Sequence, residues 1–284
     1  MNFKEYIEEA WGTHATNPVL VSSNLEHGFS LLEKSEQVGL LGNLIAHVQG
    51  EHLAQFAEGV QLIERLKAHP LAADKDMLFA LNRFSAILNL TSNASHPLDH
   101  FNASDKVRIL ATVASAHAGL GNIKAAGSAL NMAIQLADEV LKSDPSIRGL
   151  AIGSNNLACS ISEKAELTSE EKELMLFSAR TARKYWEIAG TWLEVERAEY
   201  RLAKCFLKAG DIISSIRHAN LCLTICESNN AGPLELFFAF EAIAAVEKSM
   251  KQPLRSLPQM EKFYLLLPPE DQQWCKKSLE MIKT

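Results

Sequence analysis

The chain of 284 residues is 47% hydrophobic and 22% charged and carries a net charge of −6 at pH 7, the balance of a globular protein. The acidic excess argues against a nucleic-acid-binding protein, and no run of 18 apolar residues is present to cross a membrane. The first residues lack the basic region and continuous apolar stretch of a signal peptide, so we expect a cytoplasmic protein.

Long segments rich in Ala, Leu, Glu, Lys and Gln follow one another along the chain, and these residues favour helices. Because no sustained alternation of apolar and polar residues predicts a strand, the predicted fold class is all-α. The predicted helices span residues 2–11, 22–33, 36–48, 51–68, 74–91, 104–119, 122–142, 146–164, 169–189, 191–209, 211–228, 233–250, 255–267 and 270–282.

Prolines and one polar segment mark several boundaries between these helices. Pro145, Pro233 and Pro269 stand at predicted helix starts, where the missing backbone N–H does no harm. The segment from Thr91 to Ser104 is rich in Asn, Ser, His and Pro and is the longest predicted loop.

The sequence of residues 201–230 predicts a helical hairpin. Two apolar stripes with helical spacing flank a turn at Gly210 that is short enough to require antiparallel packing. The small residues Ala203 and Ser215 would let the two helices approach closely. The pattern recurs at residues 110–137, and helix pairs follow one another every 41 to 46 residues, which is typical of a solenoid.

These units resemble tetratricopeptide repeats, which carry Leu and a small residue in the first helix, Gly at the turn and Ala in the second helix. The matching residues are Leu202, Ala203, Phe206, Gly210, Ser215, Ala219 and Cys222 in 196–229, and Val113, Ala114, His117, Gly121, Ala126, Leu130 and Ala133 in 107–140. The resemblance implies a right-handed superhelical solenoid of antiparallel helix hairpins. We expect a single domain over 1–284 with about six helix pairs, an N-terminal helix and loop at 1–20 and a C-terminal capping helix at 268–284.

The resemblance also implies a concave groove lined by the first helix of each pair. In the matched register, the peptide-binding positions carry Asn155, Asn156, Arg197, Tyr200, Arg201 and Lys204. Family members that hold C-terminal carboxylates use Asn in one repeat and two basic residues in the next, as Asn156, Arg197 and Arg201 provide. Ala111 and Ser115 stand where Lys and Asn would complete that site, which leaves open whether the groove takes a terminal carboxylate or an internal acidic segment.

Lys208 continues the basic residues of this helix at helical spacing. Such a stripe is equally typical of a solvated helix face, whose cations would then pair with Glu194, Glu196 and Glu199.

Two groups of residues raise the question of metal binding. His96 and His100 lie in the long loop with Asp99 between them, but Pro97 interrupts the helical spacing, and a polar loop is the favoured interpretation. Cys222 and Cys226 could share a metal, yet buried, reduced thiols are favoured for the five cysteines of this chain. We predict no metal and no cofactor.

No phosphate-binding loop, nucleophile elbow or zinc-protease motif occurs, so no catalytic residue is predicted. The leading hypothesis is a non-enzymatic scaffold that binds a peptide or protein segment, which we expect to be acidic, with no nucleic-acid or membrane partner. The alternative is a regulatory sensor whose superhelix changes curvature on binding a signal peptide or small ligand. A third hypothesis is an enzyme with its site near His96 and His100.

Overall fold

The computed structural model describes residues 1–93 and 96–284, and within these ranges the chain has α-helices and no strand. The helices are α1 Phe3–Thr13, α2 Pro18–Ser30, α3 Ser35–Ala46, α4 Phe56–Lys67, α5 Lys75–Thr91, α6 Ala103–Gly119, α7 Ile123–Ala137, α8 Pro145–Ser162, α9 Ser169–Ala189, α10 Trp192–Ala209, α11 Ile212–Ser228, α12 Pro233–Ser249, α13 Leu257–Leu265 and α14 Pro269–Lys283. A π-helical turn, His47–His52, follows α3, and a 3-10 turn, Pro70–Ala72, follows α4. The all-α prediction is confirmed. In the described part of the chain, every helix is too short or too polar to span a membrane.

Most helix boundaries lie within two residues of the predicted ones, and α8, α12 and α14 begin at their predicted prolines. The second helix, by contrast, begins at Pro18 because Asn17 Oδ1 accepts the backbone N–H of Leu20 at 3.2 Å and caps it. Helix α4 begins at Phe56, later than predicted, because the π-helical turn occupies the preceding residues. Helix α7 ends earlier than predicted, at Ala137. The predicted loop after Thr91 includes Ala94 and Ser95, which lie outside the described residues.

The chain forms two compact units, residues 1–150 and 151–284, with the boundary inside α8. In each unit, helices that are adjacent in the sequence pack against each other, as in a helical repeat. In residues 1–150 these contacts include α4 with α5 and α6 with α7; in residues 151–284 they include α9 with α10 and α10 with α11. One continuous solenoid domain and its right-handed superhelix stay predictions.

The core of residues 1–150 forms where α1 to α5 and the π-helical turn meet. Leu25, Leu41, Leu44 and Leu81 are fully buried there, and each such side chain stabilises the fold by about 1.5–3 kcal/mol relative to leaving it in water. The helices approach closely: a Cβ on Gly42 would lie 2.8 Å from a methyl group of Leu81. Side chains on these helices are therefore held by a tightly packed framework.

Helix α10 packs against α9, α11 and α12 in residues 151–284. It begins with a capping box, in which Thr191 and Glu194 satisfy each other's backbone N–H groups. It ends at Ala209, and the following Gly210 has a φ of 90°, in the left-handed region that favours glycine. Ser215 Oγ donates a hydrogen bond to the Ala203 carbonyl at 2.8 Å, so the close approach of α10 and α11 is confirmed.

Candidate functional site

A cleft of about 480 Å³ opens on the surface of residues 151–284. We call this cleft the groove. It is lined by Asn155 of α8, by Glu196, Arg197, Tyr200 and Arg201 of α10, by Leu234, Glu235 and Phe238 of α12, and by Trp274 of α14. Its size and its mixture of apolar side chains with a few polar groups are those of ordinary ligand sites.

Helix α10 presents its part of the groove through helical periodicity. Arg197 and Arg201 are four residues apart and therefore share one face, while Ala198 and Leu202 point into the core and are 3% and 2% exposed. The tight packing of one face of α10 thus determines which side chains reach the groove.

The six residues predicted from the sequence do not all reach this groove. Asn155, Arg197, Tyr200 and Arg201 line it. Asn156 is exposed and is not among the lining residues. Lys204 binds Glu241 instead of facing the groove. The structure therefore brings four of these residues together and leaves their binding role as a prediction.

Tyr200 and Lys204 share one buried carboxylate, that of Glu241, which is 4% exposed. Lys204 Nζ donates to Glu241 Oε1 at 2.7 Å, and the Tyr200 hydroxyl donates to Glu241 Oε2 at 3.0 Å. Burial and then the charge of Glu241 raise the pKa of Tyr200 well above its ordinary value, so the phenol stays a neutral donor. What Tyr200 offers to the groove is its ring, which lies 5.6 Å from that of Phe238.

Carboxylates offset the positive charge of the groove. Arg197 Nη2 lies 3.3 Å from Glu235 Oε1, and because the Arg197 side chain is 61% exposed this pair is weak. Glu196 is buried and accepts the thiol hydrogen of Cys222 at 2.8 Å, and burial raises the pKa of its carboxyl group. Arg197 and Lys204 of α10 therefore pair with residues of α12, a pattern that differs from the predicted pairing within α10.

Arg201 differs from its neighbours in the groove. Its Nε atom is buried, and among the described residues it has no hydrogen-bond partner. Leaving a buried donor of a charged group unsatisfied costs more than the roughly 1–3 kcal/mol of a neutral one. Arg201 therefore lines the groove as a cation that keeps one hydrogen-bond donor unused.

The sequence analysis missed the side of the groove formed by Leu234, Phe238 and Trp274, which we call the apolar wall. The rings of Phe238 and Trp274 lie 5.2 Å apart in an edge arrangement, and Trp274 is 63% exposed. A signal was present, because Trp274 is a lone aromatic residue within the polar run Glu-Asp-Gln-Gln-Trp-Cys-Lys-Lys. An exposed tryptophan on a polar helix commonly marks a contact surface.

Two sets of three close metal-ligating groups occur in residues 1–93 and 96–284. They are His14, His47 and His52, and Glu196, Cys222 and Cys226. The two thiols are fully buried, as predicted. Hydrogen bonding with Cys226 and burial raise the pKa of Cys222, so its protonated thiol is favoured over a metal-binding thiolate.

The loop histidines His96 and His100 are less buried than His117, which matches the repeat pattern. The rings of His96 and His100 lie 6.2 Å apart, and in the described part of the chain they belong to neither of these metal-ligating sets. His117 is 4% exposed, in keeping with a packing role, and burial lowers its pKa.

Neither a protein-family model nor a curated protein matches the chain. The resemblance to tetratricopeptide repeats therefore depends on the matching residues and on the packing of adjacent helices.

Proposed function

We propose that the chain is a non-enzymatic binding protein of the tetratricopeptide-like, right-handed superhelical class, and that its groove holds a peptide or protein segment. The observation that carries the proposal is Arg201, whose Nε has no hydrogen-bond partner among the described residues, in a groove that the apolar wall also lines. A segment that brings a carboxylate to Arg201 and an apolar side chain to Phe238 would satisfy both surfaces.

The charges of the groove favour a ligand with one carboxylate over a strongly acidic one. Arg197 and Lys204 already have carboxylate partners, and Glu196 and Glu235 would repel further negative charge. The side-chain amide of Asn155 is suited to a backbone group of an extended segment. We therefore narrow the predicted acidic ligand to a segment with a single carboxylate next to an apolar residue.

A binding role also fits the state of the ionisable groups in the groove. Tyr200 donates to Glu241, and Glu196 accepts a hydrogen bond from Cys222. A general acid or base needs a proton-transfer position that faces the substrate, whereas these groups are oriented toward each other. The groove thus supplies shape, one cation and apolar surface, which are the requirements for recognition.

Selection of peptides on the full-length protein tests the proposal. We expect a displayed random-peptide library to yield sequences with a carboxylate, either Asp, Glu or the chain end, beside an aromatic or aliphatic residue. Fluorescence anisotropy of a selected peptide would then show about tenfold or greater weakening by Arg201→Met, because a charged hydrogen bond of roughly 1.5–3 kcal/mol is lost. Phe238→Ala should weaken binding by removing part of the apolar wall.

Lys208→Met is the matched control, since Lys208 lies on the same helix and bonds the Ala165 carbonyl, outside the groove lining. Its affinity for the peptide should equal that of the unmodified protein. Amidating the C-terminus of the peptide separates a terminal carboxylate from an internal one. The proposal is wrong if the selected peptides share no carboxylate, or if Arg201→Met and Phe238→Ala bind as tightly as the control.

A further inference from the structure

Three histidine side chains from two separate segments of the sequence converge on one point in residues 1–150, outside the groove. His14 directly follows α1, and His47 and His52 are the first and last residues of the π-helical turn. One ring nitrogen from each histidine lies within 4.8 Å of the others, and His47 Nε2 and His52 Nε2 are 3.1 Å apart. We call these residues the histidine cluster.

The π-helical turn is the reason that His47 and His52 meet. In an α-helix, residues five apart point about 140° away from each other. The π-helical turn instead bonds residue i to residue i+5, as in the 3.1 Å bond from the Leu53 N–H to the Val48 carbonyl, and so brings such residues onto one side. Single π-helical turns of this kind occur frequently at functional sites.

Close packing holds this turn in place. A Cβ on Gly50 would lie 3.1 Å from a methyl group of Leu88, and one on Gly59 would lie 3.0 Å from Gln49 Cβ. Leu88 belongs to α5, Gly59 belongs to α4, and Leu88 is fully buried. The two histidines therefore extend from a backbone that the core fixes on two sides.

Hydrogen bonds determine which nitrogen each ring can offer. His14 Nδ1 lies 2.6 Å from the Trp11 carbonyl, and His47 Nδ1 lies 3.0 Å from Glu51 Oε1. Because a carbonyl and a carboxylate only accept, both Nδ1 atoms must carry the hydrogen, which leaves a lone pair on each Nε2. An imidazole whose other N–H is bound to a carboxylate or carbonyl is the usual arrangement of a metal ligand.

We propose that His14, His47 and His52 bind a divalent transition-metal ion of the imidazole-preferring class, for which Zn²⁺ is the reference, through their Nε2 atoms. Tetrahedral ligands at 2.0–2.1 Å from zinc are separated by roughly 3.4 Å, close to the 3.1 Å between His47 Nε2 and His52 Nε2. Glu51 and the Trp11 carbonyl are positioning groups that orient two of the rings. This assignment replaces the sequence-based prediction that the chain holds no metal.

The surroundings of the cluster suit an ion with one position open to other ligands. The Trp11 ring lies 5.0 Å from that of His14 and 5.2 Å from that of His47 and covers one side. His52 is exposed, so water or a ligand from solution can approach from its side. Three protein ligands and one open position distinguish such a site from a closed structural one.

Calorimetric titration of ZnCl₂ into the full-length, chelator-treated protein tests the proposal. We expect one ion per chain with a Kd of about 1 μM or tighter. His14→Gln and His52→Gln should each weaken binding by about tenfold or more, since each removes a ligand. Glu51→Ala should weaken it by about 10- to 100-fold through loss of ring orientation.

Two histidine variants serve as matched controls. His27→Gln removes an exposed histidine of the same unit, and His96→Gln removes one of the loop pair; both should leave zinc affinity unchanged.

The Co²⁺-substituted protein should lack thiolate charge-transfer absorption, which would mark the Cys222 and Cys226 set instead. Because His52 is exposed, its variant should fold even if that of His14 does not. A Kd above about 100 μM, affinity unchanged in His52→Gln, or a thiolate spectrum would overturn the proposal.

Discussion

Glu199 is a buried carboxylate, 4% exposed, that joins three helices. Arg183 Nε of α9 donates to its Oε1 at 2.6 Å, and His218 Nδ1 of α11 lies 2.6 Å from its Oε2. Burial is the largest influence on this group and raises its pKa, but the hydrogen bonds from His218 and Arg183 outweigh it and hold the pKa below the ordinary value of 4.5.

The lowered pKa of Glu199 makes stability depend on pH. A carboxyl group with a lower pKa in the folded state contributes its full stabilisation above the unfolded pKa. That contribution is lost as the pH falls below about 4.5 and through the folded value. Glu199→Gln should reduce the free energy of unfolding by about 3 kcal/mol at pH 7, because the partly buried Arg183 loses its carboxylate partner. Urea unfolding at several pH values measures both effects, and the difference from the unmodified protein should shrink in acid.

Glu187→Gln is the control for this prediction. Glu187 also bonds Arg183, at 3.1 Å, but its side chain is 70% exposed, so its removal should cost less than about 1 kcal/mol. If the two variants lose the same free energy of unfolding at pH 7, then the burial of Glu199 does not strengthen its interaction with Arg183.

The residues of the groove show which of their positions could be predicted from the sequence. Helical spacing correctly grouped Arg197 with Arg201, because spacing along one helix is a local property. It also included Lys204, whose ammonium is taken by Glu241 of α12. A partner 37 residues away depends on how two helices pack, and the sequence pattern of one helix carries no information about it.

Helices α10 and α12 are linked by the ion pair of Lys204 with Glu241, to which Tyr200 adds a hydrogen bond. Lys204→Met should cost about 3 kcal/mol of unfolding free energy, because it leaves a carboxylate buried without its cation. We expect the low end of the usual range, since the Lys204 side chain is 30% exposed. Denaturant unfolding of the full-length protein measures the loss.

The double variant Lys204→Met/Glu241→Leu tests whether the two side chains stabilise the protein through their interaction with each other. Replacing a buried pair by apolar residues of similar size is often neutral, so the double variant should recover most of the stability lost in the single one. If the two changes were additive instead, the ammonium and the carboxylate would not interact, and the contact between α10 and α12 would have to depend on apolar packing alone.

The five cysteines of the chain all lie in residues 151–284, and their burial indicates how closely the helices of this unit pack. Cys205, Cys222, Cys226 and Cys275 are buried, and Cys159 is partly buried. Burial raises the pKa of Cys205 to about 12 and that of Cys275 to about 11, and it also raises that of Cys159. Because the thiolate is the reacting form, all of these thiols should react slowly in the folded protein.

Alkylation with iodoacetamide at neutral pH, followed by intact-mass spectrometry, measures this protection. We expect at most one modification in the native protein, at Cys159, and five after unfolding in urea. Rapid labelling of Cys275 would show that α14 opens readily and that the apolar wall, which includes Trp274 of the same helix, is not held in place.

The sequence by itself determined the all-α class, most helix ends and the hairpins around Gly121 and Gly210, because helix propensity, capping and turn conformation act over a few neighbouring residues. Only the tertiary structure decided that Trp274 and Phe238 line one groove with Arg201, and that His14 meets His47 and His52. These encounters join residues on different helices, and the π-helical turn that aligns two of the histidines is held by packing on Leu88. Contacts of this kind arise from the shared core, in which the position of each helix depends on all its neighbours.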